Sequence, residues 1–171
     1  IAAGPFSVPT RNEIASWRTY QVDPSRVRLE TGLLGAPNPG RQGEDLVPFY
    51  YQLKSTNEEL FGQIVDTLTS IVPTVSGIDV REVRPGIIDL YITEPSGGAF
   101  PLRLASEGIL RLMCVLAVVG SPDRPSLVIY EDPERSIHPR RLRDVLDLLR
   151  RLSGENSVQV LVTTHSGDLL D

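Results

Sequence analysis

Two adjacent carboxylates, Glu131 and Asp132, directly follow the apolar run SLVIY at residues 126–130. A short, continuously apolar run is typical of a strand that is buried on both faces of a parallel sheet. Ligands of such sheets bind beyond the carboxyl ends of the strands, where one acid can hold Mg²⁺ and its neighbour can polarise an attacking water. An acid pair taken alone can equally be a solvated turn at a strand end.

A histidine follows the second apolar run, residues 158–162, within the sequence TTHS at residues 163–166. Parallel strands end at the same edge of a sheet, so His165 is predicted to lie near Glu131 and Asp132. An imidazole there can hydrogen-bond a phosphate oxygen or an attacking water. A single histidine can also be a surface or packed residue.

Ser106, Glu107 and Gly108 stand at the predicted start of a helix over residues 107–119. The first backbone N–H groups of a helix, together with a nearby hydroxyl, form an anion-binding site. Ser106 can also act as a helix cap alone. Both interpretations place its hydroxyl at the same helix end.

The loop Ser136-Ile137-His138 separates the two apolar runs. His138 before Pro139 is also typical of a structural helix start, and the helix that follows carries an inward apolar face. Strand, helix and strand in this order predict parallel βαβ packing, with a further turn or helix from Gly167. The residues of the inward face are Leu142, Val145, Leu149 and Leu152.

The first half of the chain has a different pattern. Two alternating segments, residues 78–80 and 88–92, flank Arg84-Pro85-Gly86 and predict an antiparallel β-hairpin. The other predicted elements are a helix end at 11–16, a strand at 17–22, an exposed loop at 31–43, a helix at 45–53, a helix that starts at a Thr56/Glu59 capping box and ends before Pro73, and a short strand at 100–104.

Composition excludes several classes of protein. The chain has 171 residues, a net charge of −5 and no apolar run near the ~18 residues of a membrane span, so no membrane is expected. The single cysteine, Cys114, excludes an internal disulfide and a cysteine-based metal site, and it predicts a reducing, cytoplasmic location. The acidic balance disfavours generic nucleic-acid coating, while Arg140, Arg141 and Arg143 form either a DNA contact or a solvated face.

The ordered set of segments resembles the C-terminal half of an ABC-class ATPase domain. The group it resembles contains RecF-like, chromosome-maintenance-like and overcoming-lysogenization-defect ATPases, also described as AAA-type predicted ATPases. LRLASEGILRLMCVLAVV resembles their signature motif and helix, LVIYEDPERSIHP their Walker B strand and D-loop, and VLVTTHSGDLLD their switch-histidine segment. The resemblance implies an α/β P-loop NTPase core with parallel strands, flanking helices and an antiparallel β-hairpin and helical subdomain.

The resemblance also implies a role for each candidate residue. Glu131 takes the Mg²⁺-linked acid position, Asp132 the catalytic-base position, and His165 reads the γ-phosphate of ATP. Ser106, Glu107 and Gly108 form the signature that reaches ATP held by the other protomer. Ser136, Ile137 and His138 lie in the D-loop at the dimer interface, where Ser136 and His138 are expected to contact nucleotide.

The chain departs from the family pattern at two of these positions. The usual order at the strand end is Asp-Glu or Glu-Glu, whereas here Glu131 precedes Asp132. The base is therefore one methylene shorter than usual, which predicts slow or metal-shifted hydrolysis. Glu107 stands where transporters carry glycine, and it places a charge near the phosphates. Relatives in this branch often have an acid at this position.

A phosphate-binding loop of the form G-x-x-x-x-G-K-[S/T] is absent from the sequence. Lys54, the one lysine among 17 basic residues, follows Leu53 within an amphipathic stretch. In the resembling proteins this loop belongs to an N-terminal lobe. Because the chain opens on Ile1 and lacks this loop, it is expected to be either a piece of a longer protein, inactive alone, or one half of a site whose other half is on a separate chain.

The resemblance predicts a lobe at residues 1–104 and the signature, Walker B, D-loop and switch-histidine part at 105–171. The intact protein is expected to bind and hydrolyse ATP·Mg²⁺ as a head-to-tail homodimer, coupled to DNA processing or anti-phage defence through a nuclease or other effector. One alternative is an ATP-gated clamp or regulatory subunit with little hydrolysis. Another is a structural domain without a nucleotide site.

Overall fold

The computed structural model describes residues 7–122, 125–156 and 158–167. The turn or helix predicted from Gly167 therefore falls, beyond that residue, outside the described residues. Helices are α1 (Ser7–Ser16), α2 (Pro24–Val27), α3 (Leu46–Thr56), α4 (Glu58–Ile71), α5 (Glu107–Val119) and α6 (Leu142–Asn156), with 3₁₀ turns at Leu102–Leu104 and Pro139–Arg141. Strands are β1 (Arg18–Tyr20), β2 (Thr31–Gly32), β3 (Gly77–Arg84), β4 (Ile87–Thr93), β5 (Ala99–Pro101), β6 (Leu127–Glu131) and β7 (Gln159–Thr163).

Three strands form a parallel sheet in the order β1-β6-β7. The chain passes from β6 to β7 through α6, so the predicted βαβ unit is confirmed. Tyr20 lies opposite Tyr130, and Glu131 lies opposite Thr163, so the three strands end at one edge. The division of the chain at residues 104 and 105 stays a prediction, and β1 joins the sheet of the second part.

The two faces of this sheet differ in burial. Val128 and Tyr130 are each 1% exposed and belong to the same core as residues of α5 and α6. On the other face Ile129 is half-buried and Leu161 is 54% exposed. The prediction that β6 and β7 are buried on both faces is therefore wrong for the described residues, because the described elements leave Leu161 open to solvent.

We call β2–β5 with α3 and α4 the antiparallel lobe. β3 and β4 form the predicted hairpin, which turns at Gly86 with φ +77°, a conformation that favours glycine. β2 and β5 pair with β4 on its other edge, and β5 gives way to the 3₁₀ turn Leu102–Leu104. Val80, Leu90 and Ile92 are buried in one core with α3 and α4.

Two local predictions in the antiparallel lobe are wrong in detail. Thr31–Gly32 forms β2 within the predicted loop, because it pairs with β4. Helix α4 is capped by Asn57, whose side chain accepts the N–H of Leu60 at 3.1 Å. Thr56 instead ends α3, so it forms no capping box with Glu59.

Helix α5 runs through the core, and its residues 110–118 are all buried. It begins after Ser106 and stops at Gly120, as predicted. Cys114 lies in its middle, where burial raises the pKa of the thiol to about 12. Although α5 is apolar it has 13 residues, and no helix in the described ranges has the length and apolarity to cross a bilayer.

Candidate functional site

The strand-end acids lie where β6 leaves the parallel sheet. Glu131 is the last residue of β6 and is paired with Thr163, the last residue of β7. Asp132 then donates its backbone N–H to the Thr163 carbonyl at 3.0 Å and adopts φ +45°, in the left-handed region. Non-glycine residues seldom adopt this conformation, which here turns the chain out of the sheet immediately after the acid pair.

His165 lies beside Asp132, as predicted. Its Nε2 is 3.9 Å from Asp132 Oδ1, and its side chain is 93% exposed whereas that of Asp132 is 31% exposed. This separation is longer than a hydrogen bond, so the two groups face each other without being locked together. A small polar ligand or water can therefore interact with both.

Glu134 is a residue that the sequence interpretation did not assign to the site. Its Oε1 accepts hydrogen bonds from Thr164 Oγ1 at 2.7 Å and from the backbone N–H of His165 at 3.0 Å. Its Oε2 is buried without a hydrogen-bond partner among the described residues. The only signal in the sequence was its position two residues after Asp132, which does not predict these contacts.

These residues line an open cavity of about 490 Å³ at the edge of the parallel sheet. Asp132, Glu134, Arg135, His165 and Ser166 form its wall. The cavity therefore presents carboxylate, guanidinium and imidazole groups to one space. This combination suits a polyanion and its counter-cation better than an apolar ligand.

Gln21 also follows a strand that ends at this edge. The register of β1 with β6 sets Tyr20 opposite Tyr130, so Gln21 follows at the level of Glu131. Its backbone N–H donates to the Arg41 carbonyl at 2.9 Å, and its side chain is exposed. The sequence placed Gln21 inside a predicted strand, and only the sheet order brings it to the site.

The residues predicted to form a signature motif make up a second group at the start of α5. Ser106 Oγ accepts the N–H of Ile109 at 3.4 Å, and Glu107 is the first helical residue. Ser136 Oγ donates to Glu107 Oε2 at 3.1 Å. A Cβ at Gly108 would lie 2.5 Å from the Ser136 carbonyl oxygen, so glycine permits the close approach of this loop to the helix.

The loop of residues 132–138 joins the two groups, with Asp132 at one end and Ser136 near the other. Ser136 also adopts a left-handed conformation, with φ +63°. His138 accepts the N–H of Arg140 on its Nδ1 at 3.2 Å and caps the 3₁₀ turn Pro139–Arg141. That contact matches the structural alternative for His138, while its expected nucleotide contact stays a prediction.

The donor set fits Mg²⁺ only in company with a nucleotide. No cluster of three or more His, Cys, Asp or Glu side chains suited to a metal ion occurs in the part of the chain that the structure describes. Mg²⁺ is commonly held by one or two carboxylates together with substrate phosphates and water. Glu131 and Asp132, with the amide of Gln21 at the same edge, are sufficient for that arrangement.

Lys54 lies outside this site. Its Nζ is 2.7 Å from Asp79 Oδ1 and 3.4 Å from the Val80 carbonyl oxygen, both in the antiparallel lobe. The ammonium group is therefore engaged by β3. It does not supply a lysine at the edge of the parallel sheet.

Comparison with protein families and curated proteins finds an AAA domain family and an ABC ATP-binding protein. The model of the family described as "AAA domain, putative AbiEii toxin, Type IV TA system" matches residues 44–171. A probable amino-acid ABC transporter ATP-binding protein of Sinorhizobium fredii is 24% identical over 105 residues, which are 60% of this chain and 40% of that protein. The chain thus spans less than half the length of this curated relative.

Comparison with solved structures identifies the fold. A structure from work on the ATP-driven dimerization and DNA-stimulated activation of SMC ATPases has a TM-score of 0.54 and 14% identity over 71% of this chain and 76% of its own. The Smc head domain of Pyrococcus furiosus, bound to the C-terminal domain of ScpA, gives a TM-score of 0.54 and 12% identity over 71% and 31%. That of Pyrococcus yayanosii gives 0.55 and 13% over 68% and 23%. The predicted ABC-type P-loop NTPase fold is confirmed.

Proposed function

Because this chain belongs to the family of AAA domains that includes the putative AbiEii toxin of type IV toxin–antitoxin systems, and is part of an ABC-class ATPase domain, we propose that the full-length protein hydrolyses ATP between two head-to-tail protomers. The observation that carries this proposal is the meeting of Glu131, Asp132 and His165 at one sheet edge, with His165 Nε2 3.9 Å from Asp132 Oδ1. The catalytic apparatus of such an ATPase needs an acid for Mg²⁺, a base for water and a group that senses phosphate.

We assign Asp132 as the general base that accepts a proton from the attacking water. Glu131, with Gln21 beside it, would hold Mg²⁺, which when bound neutralises charge on the phosphates. His165, which lines the same cavity as Asp132, would donate a hydrogen bond to the γ-phosphate. Since Asp132 is shorter than the usual glutamate, we expect slow hydrolysis.

The start of α5 would serve the ATP held by the other protomer. The backbone N–H groups at the start of the helix and the hydroxyl of Ser106 are suitable donors for a phosphate. Glu107 adds a negative charge at the same place, and its hydrogen bond from Ser136 keeps one carboxylate oxygen engaged. A head-to-tail dimer would bring this surface to the partner's nucleotide.

These residues contain no phosphate-binding loop, so the ATP site is incomplete in them. The parallel sheet also indicates that a further segment belongs to the domain. β7 is the last strand of the described sheet, and Leu161 on its face is 54% exposed. Parallel sheets are normally covered by helices on both faces. We propose that a strand, phosphate-binding loop and helix from outside these residues pair with β7 and cover Leu161.

The experiment that tests the function compares two measurements on the full-length protein. Steady-state ATPase rate and ATP-dependent dimerisation would both be positive for an ATP-hydrolysing dimer. Dimerisation without turnover would support the ATP-gated clamp, which the Glu131-Asp132 order favours. A protein with no thermal shift in ATP·Mg²⁺ would have no nucleotide site, and both proposals would be wrong.

The process that ATP hydrolysis drives in the full-length protein is also a proposal. One similar structure comes from work on DNA-stimulated activation of SMC ATPases, and another similar head domain is bound to ScpA. We propose coupling to DNA processing or anti-phage defence through a nuclease or other effector. Stimulation of the ATPase by DNA, and its loss in a charge-reversed Arg140→Glu/Arg143→Glu variant, would test the DNA contact at the start of α6.

A further inference from the structure

We propose that Glu134 is the positioning residue for His165, holding the end of β7 so that the imidazole faces Asp132. This inference rests on the proposed function, because it concerns the same ATP site. Glu134 itself would not touch the reacting atoms. It would act by fixing the backbone from which His165 reaches into the cavity.

Neither the sheet hydrogen bonds nor packing holds His165 in place. β7 ends at Thr163, whose carbonyl accepts the N–H of Asp132 as the last contact between the strands. His165 lies two residues further on, beyond the sheet hydrogen bonds. Its side chain is 93% exposed, so packing contributes little to its position. Another restraint is therefore required if the imidazole is to stay in place.

Glu134 supplies that restraint through one oxygen. Its Oε1 accepts the His165 backbone N–H at 3.0 Å and the Thr164 hydroxyl at 2.7 Å. The Thr164 oxygen in turn accepts the N–H of Ser166 at 3.0 Å. The carboxylate thus lies at the centre of a short network through all three residues after β7. Hydrogen bonds to a charged acceptor are the strong ones of this kind.

The position of Glu134 is itself fixed by its loop. Its backbone carbonyl accepts the N–H of Ile137 at 2.9 Å, and Pro133 before it is buried. The same loop begins with Asp132. Glu134 therefore ties the switch-histidine segment to the loop of the base, so that Asp132 and His165 are held with respect to one another.

The second oxygen of Glu134 makes this carboxylate costly to bury. Oε2 is buried and has no hydrogen-bond partner among the described residues. Glu134 also forms no ion pair with a lysine or arginine there. A buried, unpaired carboxylate oxygen is unfavourable, and it is tolerated where the position has a use. The use assigned here is the pair of hydrogen bonds that Oε1 accepts from Thr164 and His165.

The test uses four forms of the full-length protein: wild type, Glu134→Ala, Glu134→Gln and His165→Ala. We expect Glu134→Ala to lower kcat on the order of 10- to 100-fold with the KM for ATP changed by no more than about twofold. Glu134→Gln should recover most of the rate, because the amide oxygen can accept the same two hydrogen bonds. In the His165→Ala background, adding Glu134→Ala should change kcat by less than about threefold, since both variants remove one effect.

A spectroscopic readout accompanies the kinetics. Amide hydrogen exchange of His165 should become faster in Glu134→Ala, while the Asp132 amide, which donates to the Thr163 carbonyl, should keep its protection. Thr164→Val removes the hydroxyl contact without touching the carboxylate. It gives a second variant if Glu134→Ala does not fold, and we expect a smaller fall in kcat in the same direction.

The outcomes separate the two proposals. A wild type with neither an ATP·Mg²⁺ thermal shift nor hydrolysis overturns the proposed function and this inference with it. A wild type that hydrolyses ATP, but whose Glu134→Ala variant matches it, overturns the inference alone. The inference is also overturned if the losses from Glu134→Ala and His165→Ala multiply, or if Glu134→Ala raises KM with kcat unchanged.

Discussion

Charged side chains are arranged differently in the antiparallel lobe and at the edge of the parallel sheet. Three acids in and beside the lobe, Glu30, Asp79 and Asp89, form ion pairs with basic side chains, whereas Glu131, Asp132 and Glu134 form no ion pair with lysine or arginine among the described residues. The paired charges of the lobe are Lys54–Asp79, Arg81–Asp79, Arg84–Glu30 and Arg103–Asp89.

The contrast marks the sheet edge as a place where neighbouring carboxylates have no lysine or arginine ion pair among the described residues. Ion pairs on an exposed surface contribute little to stability, but each one offsets the charge of the acid that it contains. Several unpaired carboxylates at one sheet edge repel each other and attract a cation. That is the electrostatic condition expected of a site that receives Mg²⁺ with a nucleotide.

Neutralising one acid in each region should give the largest difference between them. We expect Asp132→Asn to lower the ATPase rate of the full-length protein by about 1,000-fold, because the proposed general base is lost. Asp79→Asn, which removes an acid of the lobe, should change the rate by less than about twofold. Normal hydrolysis in Asp132→Asn would show that the base is assigned to the wrong residue.

A pair of glycine variants compares the two regions by packing. Gly108→Ala places a Cβ 2.5 Å from the Ser136 carbonyl oxygen and should lower the free energy of unfolding by about 1–3 kcal/mol. Gly62→Ala on α4 meets nothing within 4 Å and should raise it by about 0.5–1 kcal/mol. Urea denaturation measures both, and equal effects would mean that the loop does not press on α5.

The pH dependence of stability tests the core between the two regions. Burial raises the pKa of Cys114 to about 12, and it raises the pKa of Tyr50 and of Tyr130 well above the ordinary value. Above about pH 9 the unfolded chain loses the thiol proton that the folded chain keeps, so stability falls with pH, by up to about 1.4 kcal/mol per pH unit for this group. Below that pH the thiol keeps its proton in both the folded and the unfolded chain, so its titration does not lower the free energy of unfolding.

Cys114→Ala isolates the thiol from the tyrosines. The slope of unfolding free energy against pH, measured by denaturant titration between pH 8 and pH 10.5 (about the unfolded thiol's range), should be shallower in the variant. The absolute stability also falls because a buried side chain is shortened, so only the slopes are compared. Identical slopes would mean that the thiol titrates freely in the folded protein.

The smallest effect is expected at the lysine of the lobe. Lys54→Met removes the ion pair with Asp79, in which both side chains are about 40% exposed. It should lower the free energy of unfolding by less than about 1 kcal/mol, and it should leave the KM for ATP unchanged. A large increase in KM would show that Lys54 reaches the nucleotide, contrary to its place beside β3.

Elements with a local signal could be predicted from the sequence. The β3–β4 hairpin follows from two alternating segments around Gly86, and α5 follows from its serine cap and the glycine that ends it. The meeting of Asp132 and His165 follows from parallel strand ends. Each of these rests on periodicity or capping within a short stretch of chain.

Features that depend on distant parts of the chain could not be predicted. Gln21 reaches the site only because β1 pairs with β6, more than a hundred residues later. The contacts of Glu134 depend on a loop whose left-handed residues carry no strong sequence signal. The apolar patterns of β6 and β7 predict strands that are buried on both faces, whereas the described residues cover only one face of the sheet. Such a pattern fits a domain larger than these residues.

The open sheet also has a practical consequence for solubility. β3, at one end of the antiparallel sheet, carries Arg81, Glu82 and Arg84, and charges of this kind discourage a strand edge from pairing with another molecule. β7, at the end of the parallel sheet, has no charged residue and presents Leu161 to solvent. Expressed alone, this polypeptide is therefore expected to aggregate edge to edge through β7.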